Sequence, residues 1–150
     1  MEISDTINSI ISQKTNRELW RVEPDDKVFD AITLMSLQNV GALLVMDGDV
    51  LAGIISERDY TRKVILAGRS SKDTAVQEIM TSPVYCIPPD SKVTDSLHLM
   101  SEKHIRHLPV VEAGKVIGIV SIGDLIKRVM ASQETLIDQL ESYLSATYHG

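Results

Sequence analysis

The sequence predicts an α+β fold built from two similar halves, and three observations support this prediction. The chain repeats itself: residues 22–65 align with residues 87–130 without a gap, and 15 of 44 positions are identical. Both copies alternate in the same order between strand-like and helix-like apolar patterns. Both also contain one box, GIISERDY in the first and GIVSIGDL in the second. We therefore expect two half-domains packed about a pseudo-twofold axis, because each half alone would leave an apolar sheet face uncovered.

Each copy predicts the order strand, helix, strand, strand, helix. A short strand over 19–22 or 84–87 ends at a Pro-Asp pair, which breaks a β-ladder and favours a helix start. Two strands then form a hairpin, joined by the turns DGD and EAG. The last helix begins at the Ser-x-x-Asp box. The predicted apolar face of the intervening helix consists of Val28, Ile32, Met35 and Leu37 in the first copy, and of Val93, Leu97, Met100 and Ile105 in the second.

Segments outside the two copies predict further helices. Ile3, Ile7, Ile10 and Ile11 mark a short N-terminal helix, which TAVQEIM at 74–80 resembles. Near the C-terminus an apolar stripe of Leu136, Ile137, Leu140 and Leu144 either packs on its own domain or forms a dimer contact, and the pattern leaves both open. The predicted organisation is a helix and lead-in at 1–18, the first copy at 19–67, a linker with a short helix at 68–83, the second copy at 84–130, and a C-terminal helix at 131–150.

Composition bounds the function. With 43% hydrophobic and 24% charged residues and no long apolar run, the chain is typical of a soluble protein, and we expect no membrane segment. The start MEISDTINSI has neither a basic region nor a continuous apolar core, so we expect no signal peptide. A single cysteine, Cys86, excludes an intramolecular disulfide and favours a reducing cytoplasm. The net charge of −6 argues against nonspecific nucleic-acid binding.

The two boxes have an ordinary structural explanation and a functional one. Ser56 and Asp59, like Ser121 and Asp124, fit a capping box, in which a hydroxyl and a carboxylate satisfy the amides at a helix N-terminus. The same helix end favours phosphate, and a carboxylate accepts hydrogen bonds from a vicinal diol. One set of residues could therefore cap a helix and bind a nucleotide.

The repeat, the two boxes and the segment RHLPVV together resemble a tandem pair of CBS domains, also called a Bateman module. The likeness is greatest to small stand-alone bacterial signalling proteins of that family. The resemblance implies a ligand cleft between the halves for an adenosine-containing nucleotide, with the box aspartates on ribose hydroxyls. It also implies dimers and a regulatory role exerted on a separate effector protein. The expected ligand is AMP, ADP or ATP, with NAD(H) as the alternative and no required cofactor.

The copies differ in their cations. Arg58 stands opposite Gly123, and Arg106 and His107 stand opposite Gly41 and Ala42. The two clefts should therefore differ, and a cleft that gathers all three cations should bind more tightly. The sequence does not assign the three to one cleft, and Arg58 could be solvated or Arg106 paired with a surface acid.

The resemblance also implies where an adenine ring would lie, between the backbone near the first strand of a copy and the last strand of that copy, with Ile55 or Val120 beneath the base. The predicted nucleotide contacts are Ile55, Ser56, Arg58, Asp59, Thr81, Val84, Cys86, Arg106, His107, Pro109, Val120, Ser121 and Asp124. We expect no catalytic activity, because the sequence shows no nucleophile paired with a general base and no cluster of carboxylates that could bind two metal ions. His104 and His107 have no third ligand nearby in the sequence, so we expect no metal site. A structural dimer with degenerate clefts is a further alternative.

Overall fold

A computed structural model describes residues 5–13 and 20–149 of the chain, with side chains through residue 143. The helices are α1 Ile7–Gln13, α2 Val28–Gln38, α3 Glu57–Tyr60, α4 Val93–Lys103 and α5 Ile122–His149. The strands are β1 Arg21–Val22, β2 Ala42–Asp47, β3 Val50–Ser56, β4 His107–Glu112 and β5 Lys115–Ser121. A π-helical turn, Thr61–Ile65, extends α3, and a 3₁₀ turn lies at Val76–Glu78.

The predicted α+β architecture with two repeated halves is confirmed. In the first half β1 pairs in parallel with β2, and β2 and β3 form an antiparallel hairpin. In the second half β4 and β5 form the matching hairpin. The two hairpins carry β-bulges at equivalent positions, between Val45 and Met46 and between Val110 and Val111. This shared irregularity, 65 residues apart, shows that the repeat extends to backbone detail.

The first strand of the second copy is reduced to one bridge. Ile87 pairs in parallel with Val110, as Val22 pairs with Val45 in the first half. The prediction of a strand over 84–87 is therefore wrong, because only one bridge forms there. Prolines on both sides, Pro83 and Pro88, lack the N–H that a longer ladder would need.

Helices α2 and α4 cover the inner faces of the hairpins. Val28, Ala31 and Met35 of α2 are buried, as are Val93 and Met100 of α4. Leu37 is 75% exposed, so its predicted place on the apolar face is wrong. Leu37 follows Met35 by two positions, and two residues turn a helix by about 200°, which points the side chain to solvent.

Each half is closed by the lead-in segment of the other half. Ile7 and Ile10 of α1 join the core of the second half, while Val76 and Ile79 of the linker join the core of the first. The predicted similarity of the two segments therefore corresponds to equivalent packing. Ile3, at the start of the predicted N-terminal helix, and Leu19, in the first predicted strand, lie outside the described residues.

The outer faces of the two hairpins pack on each other between the halves. Ala42, Leu44, Met46 and Ile54 are buried there and contact side chains that include Val116 and Ile119 of β5. Ile54 and Ile119 are equivalent in the repeat, as expected for a pseudo-twofold arrangement. This packing brings the end of β3 close to the start of β4.

The C-terminal stripe lies on α5, which runs without a break through the predicted boundary at 130 and 131. Ile137 and Leu140 are 52% and 53% exposed, and Leu136 is half-buried. Leu144 lies outside the described side chains. Among the residues that the structure describes, no helix is long and apolar enough to cross a membrane.

Candidate functional site

The first box forms a capping box at the start of α3. Ser56 Oγ accepts a hydrogen bond from the Asp59 amide (3.2 Å), and Asp59 Oδ2 accepts from the Ser56 amide (3.0 Å). Ser56 Oγ also donates to Asp59 Oδ2 (3.0 Å). Asp59 is only 9% exposed, so its carboxylate is held in one orientation.

The second carboxylate oxygen of Asp59 faces two further groups. Lys63, one turn along the π-helical segment, places Nζ 3.0 Å from Asp59 Oδ1. The same ammonium donates to the Ile79 carbonyl at 2.9 Å, and Thr81 Oγ1 donates to Asp59 Oδ1 at 3.3 Å. The box is thus connected to the linker between the halves, and Oδ1 is the oxygen at which a ligand hydroxyl could replace a protein donor.

A cleft of about 890 Å³ opens beside this carboxylate, lined by both halves. Of the predicted contacts, those that line it are Ser56, Arg58, Asp59, Thr81, Val84, Arg106 and His107. Arg58, Arg106 and His107 therefore share one cleft, which the sequence did not establish. The cleft lies within the size range of small-molecule sites.

Arg58 spans the cleft between the halves. Its Nη1 donates to the His104 carbonyl at 3.4 Å, at the C-terminal end of α4. His104 has a φ of 55°, which ends α4 in the left-handed conformation and presents this carbonyl. At that length the bond is weak, and the remaining guanidinium donors are available to an anion.

Several predicted contacts do not line the cleft. Ile55 and Val120, one of which was predicted to lie beneath the base, are fully buried in the cores of their halves and do not line the cleft. Side chains alternate along a strand, so the cleft face of β3 carries Ile54 and Ser56 instead. Pro109 is buried in β4, where its carbonyl accepts from the Ile87 amide (3.0 Å).

Cys86 is also absent from the cleft lining. The residue is exposed overall, but its thiol donates to the Val84 carbonyl (3.7 Å) and is partly desolvated. This partial burial raises the pKa of the Cys86 thiol. The side chain next to it, Tyr85, lines the cleft instead.

The second box forms the same cap without contributing to this cleft. Ser121 Oγ accepts from the Asp124 amide (3.1 Å), and Asp124 Oδ2 accepts from the Ser121 amide (2.9 Å). The counterpart of Lys63 is Arg128, which pairs bidentately with Asp5 at 2.9 and 3.1 Å. The two boxes therefore share a backbone role but differ in the charges around them.

Several polar residues that line the cleft are not among the predicted nucleotide contacts. Lys63, Lys103, His104 and Tyr85 all do so, and Lys103 Nζ lies 5.5 Å from the centre of the Tyr85 ring. The run KHIRH at 103–107 was a visible signal, because it places four basic groups within five positions. Lys63, four residues after Asp59, was a second signal.

One group of acidic side chains could hold a metal ion. Glu23, Asp25 and Asp26 converge on the turn before α2, within the part of the chain that the structure describes. Asp26 Oδ2 already accepts from the Glu23 amide (2.8 Å), and exposed acids on a turn are common without a metal. This cluster lies apart from the residues that line the cleft.

Comparisons with known proteins agree with the repeat and the fold. The family model of the CBS domain matches residues 10–65 and 76–131. The chain is 40% identical over 151 residues to the CBS domain-containing protein CBSX3, mitochondrial, of Arabidopsis thaliana, covering 97% of this chain and 73% of that protein. It is 30% identical over 125 residues to the CBS domain-containing protein YhcV of Bacillus subtilis, covering 83% and 89%.

A solved structure of a CBS-domain protein from Burkholderia ambifaria MC40-6 superposes with a TM-score of 0.83 at 49% identity, covering 86% of this chain and 96% of that one. Both halves of the sequence thus match one domain type. The chain belongs to the CBS domain family as a tandem pair, a kind of module that is generally regulatory and ligand-binding.

Proposed function

We propose that the chain is a regulatory module that binds an adenosine nucleotide in the cleft between its halves. The observation that carries this proposal is the position of the first box: its buried carboxylate lines the cleft together with exposed cations. Asp59 would accept hydrogen bonds from the ribose hydroxyls, and the basic side chains would bind phosphate. Ile54, Val84 and Tyr85 supply apolar and aromatic surface for the base.

Occupancy would be transmitted because the cleft joins both halves. Arg58 comes from the first copy, whereas Lys103 and Arg106 come from the second. Phosphate groups bound by side chains of both copies would draw α3 toward the end of α4 and change the contact between Arg58 and the His104 carbonyl. The ligand would thereby favour one relative arrangement of the halves. The effector that reads this change is a separate protein in our proposal.

The direct test is isothermal titration calorimetry of the full chain with adenosine, AMP, ADP, ATP and NAD. We expect saturable binding of the adenosine nucleotides at a stoichiometry of one per chain. Mass spectrometry of ligand released from freshly purified protein identifies which compound co-purifies. Absence of heat with every compound at millimolar concentration would overturn the proposal.

We also propose that the module binds without turning the ligand over, and that it acts in a reducing compartment such as the cytoplasm. Cys86 is a free cysteine at an exposed residue, and such a thiol stays unmodified where thiols are kept reduced. Timed chromatography of ATP incubated with the protein tests the first point. Steady formation of ADP or AMP in proportion to protein concentration would contradict it.

We further propose that the chain is a homodimer held by α5. Ile126, Met130, Ile137 and Leu140 are each about half exposed and recur at intervals of four, seven and three residues. These intervals match the seam of a coiled coil, so a second copy of α5 would bury the stripe. Leu140→Glu should lower association in sedimentation equilibrium. Gln139→Glu adds the same charge off the seam and should leave it unchanged, and equal effects would contradict a dimer through this face.

A further inference from the structure

The lining of the cleft carries more positive charge than a monophosphate can balance. Five Lys or Arg side chains and two acidic ones line the cleft, in a chain whose net charge is −6. Lys63 and Asp59 pair with each other at 3.0 Å and offset one charge of each sign. The charged side chains that remain are four cations, Arg58, Arg62, Lys103 and Arg106, and one acid, Glu57.

Among the side chains that the structure describes, these four cations have no acidic partner. Within residues 5–13 and 20–143, where side chains are described, none of the four forms an ion pair with an acid. Arg58 has its long bond to the His104 carbonyl, and Lys103 lies over the Tyr85 ring. Both contacts hold a side chain near the cleft while leaving its charge uncompensated. Like charges held together in this way favour an anionic ligand.

The equivalent positions of the other copy lack this concentration of charge. The counterparts of Arg58, Lys103 and Arg106 are Gly123, Gln38 and Gly41, and only Arg62 keeps a basic counterpart, Lys127. Arg128, the counterpart of Lys63, is engaged with Asp5. The excess charge is therefore a property of one cleft rather than of the repeat.

We infer that this cleft selects an adenosine nucleotide with at least two phosphoryl groups, a di- or triphosphate, over the monophosphate. The inference rests on the proposed function. The first phosphate reaches the cations nearest the box, and each further phosphoryl group adds negative charge toward the remaining arginines. Arg62 and Arg106 are the specificity-determining residues in this scheme, because the monophosphate leaves their charges without a partner.

The experiment is isothermal titration calorimetry of the full chain in magnesium-free buffer with EDTA, using adenosine, AMP, ADP, ATP and inorganic tripolyphosphate at two salt concentrations. We expect ATP to bind about tenfold or more tighter than AMP, and its affinity to fall more steeply with salt. Arg106→Gln and Arg62→Gln should lower ATP affinity and leave adenosine affinity unchanged. Lys127→Gln, the matched control for Arg62→Gln, should change neither.

The outcomes separate the two proposals. If AMP and ATP bind within about twofold of each other, polyphosphate selectivity is overturned while nucleotide binding stands. If tripolyphosphate binds as tightly as ATP and neither adenosine nor AMP binds, the cleft is a polyanion site and the adenosine proposal is overturned. If none of the probes binds, both are overturned. Equal loss of ATP affinity in Arg62→Gln and Lys127→Gln would assign the effect to net charge and contradict the role of Arg62.

Discussion

Lys63 Nζ lies 3.0 Å from Asp59 Oδ1 and also donates to the Ile79 carbonyl at 2.9 Å. One ammonium therefore joins the first box to the linker that closes the core of the same half. At the equivalent position Arg128 turns to Asp5 instead. The two copies are alike in backbone, but the basic residue at this position contacts the box carboxylate in the first copy and Asp5 in the second.

Lys63→Met tests whether this ammonium occupies the place of a ribose hydroxyl. Its loss removes a competitor for Asp59 Oδ1, so adenosine should bind equally well or a few-fold tighter. ATP should bind about threefold to tenfold more weakly, because the carboxylate is no longer neutralised beside the phosphates. Calorimetry with both ligands measures the difference. Arg128→Met removes a cation at the equivalent position and serves as control; an equal loss of ATP affinity there would contradict the local explanation.

The matched pair Asp59→Ala and Asp124→Ala separates capping from binding. Each change removes the carboxylate that accepts from the Ser56 or Ser121 amide, so each should lower the free energy of unfolding by about 1 kcal/mol. Only Asp59→Ala should abolish adenosine binding. Urea unfolding gives the first quantity and calorimetry the second. Retained adenosine affinity in Asp59→Ala would show that its carboxylate only caps the helix.

Much of this architecture follows from the sequence because the chain repeats itself. Ser56, Asp59 and their counterparts were identified with their capping roles, since a capping box depends on residues three positions apart and little else. Which of Ile54 and Ile55 faces the cleft could not be predicted in the same way. It depends on which face of β3 meets the helices, and a shift of one residue reverses every side chain on a strand.

The cleft itself required the relative placement of distant segments. Arg58 and His104 are 46 residues apart, and only the packing of the halves brings them into contact. Pro83 and Pro88 shorten the first strand of the second copy. Alignment with the first copy predicted a full strand there, so the effect of these prolines on strand pairing was not predicted. The boundary predicted at 130 and 131 was set by the end of the repeat, whereas helix α5 continues to His149.

The ion pair between Asp5 and Arg128 predicts a pH effect on stability. The hydrogen bonds from Arg128 hold the pKa of the Asp5 carboxyl below its usual range, against an opposing effect of burial and with help from Ser132. A carboxyl whose pKa is lower in the folded state stabilises the fold above its unfolded pKa of about 3.9, and that contribution is lost as the pH falls through the folded pKa. At pH 7, Asp5→Asn should lower the free energy of unfolding by about 1 kcal/mol.

Urea unfolding of the wild type and Asp5→Asn from pH 7 to pH 2.5 measures this contribution. The gap between the two should narrow as the pH falls below the unfolded pKa of Asp5. Glu78→Gln provides a comparison, because Glu78 also has a lowered pKa, from its hydrogen bond with the Ala75 amide and from Arg69, but its side chain is more exposed than that of Asp5, 43% against 28%. A constant gap between wild type and Asp5→Asn over the whole range would contradict the ion-pair explanation.

The equivalent glycines Gly53 and Gly118 provide a test of how tightly each lead-in segment closes its hairpin. A Cβ at Gly53 would lie 2.8 Å from the Thr81 carbonyl oxygen and 2.7 Å from Met80 Sδ, whereas a Cβ at Gly118 would meet only the side chain of Ile11, at 3.0 Å. Backbone cannot yield as the end of an isoleucine can, so Gly53→Ala should cost about 1–3 kcal/mol and Gly118→Ala less. Because Thr81 lines the cleft, Gly53→Ala should also weaken nucleotide binding. Urea unfolding and calorimetry on the two variants measure both effects, and equal stability losses would show that the two lead-in segments close their hairpins equally tightly.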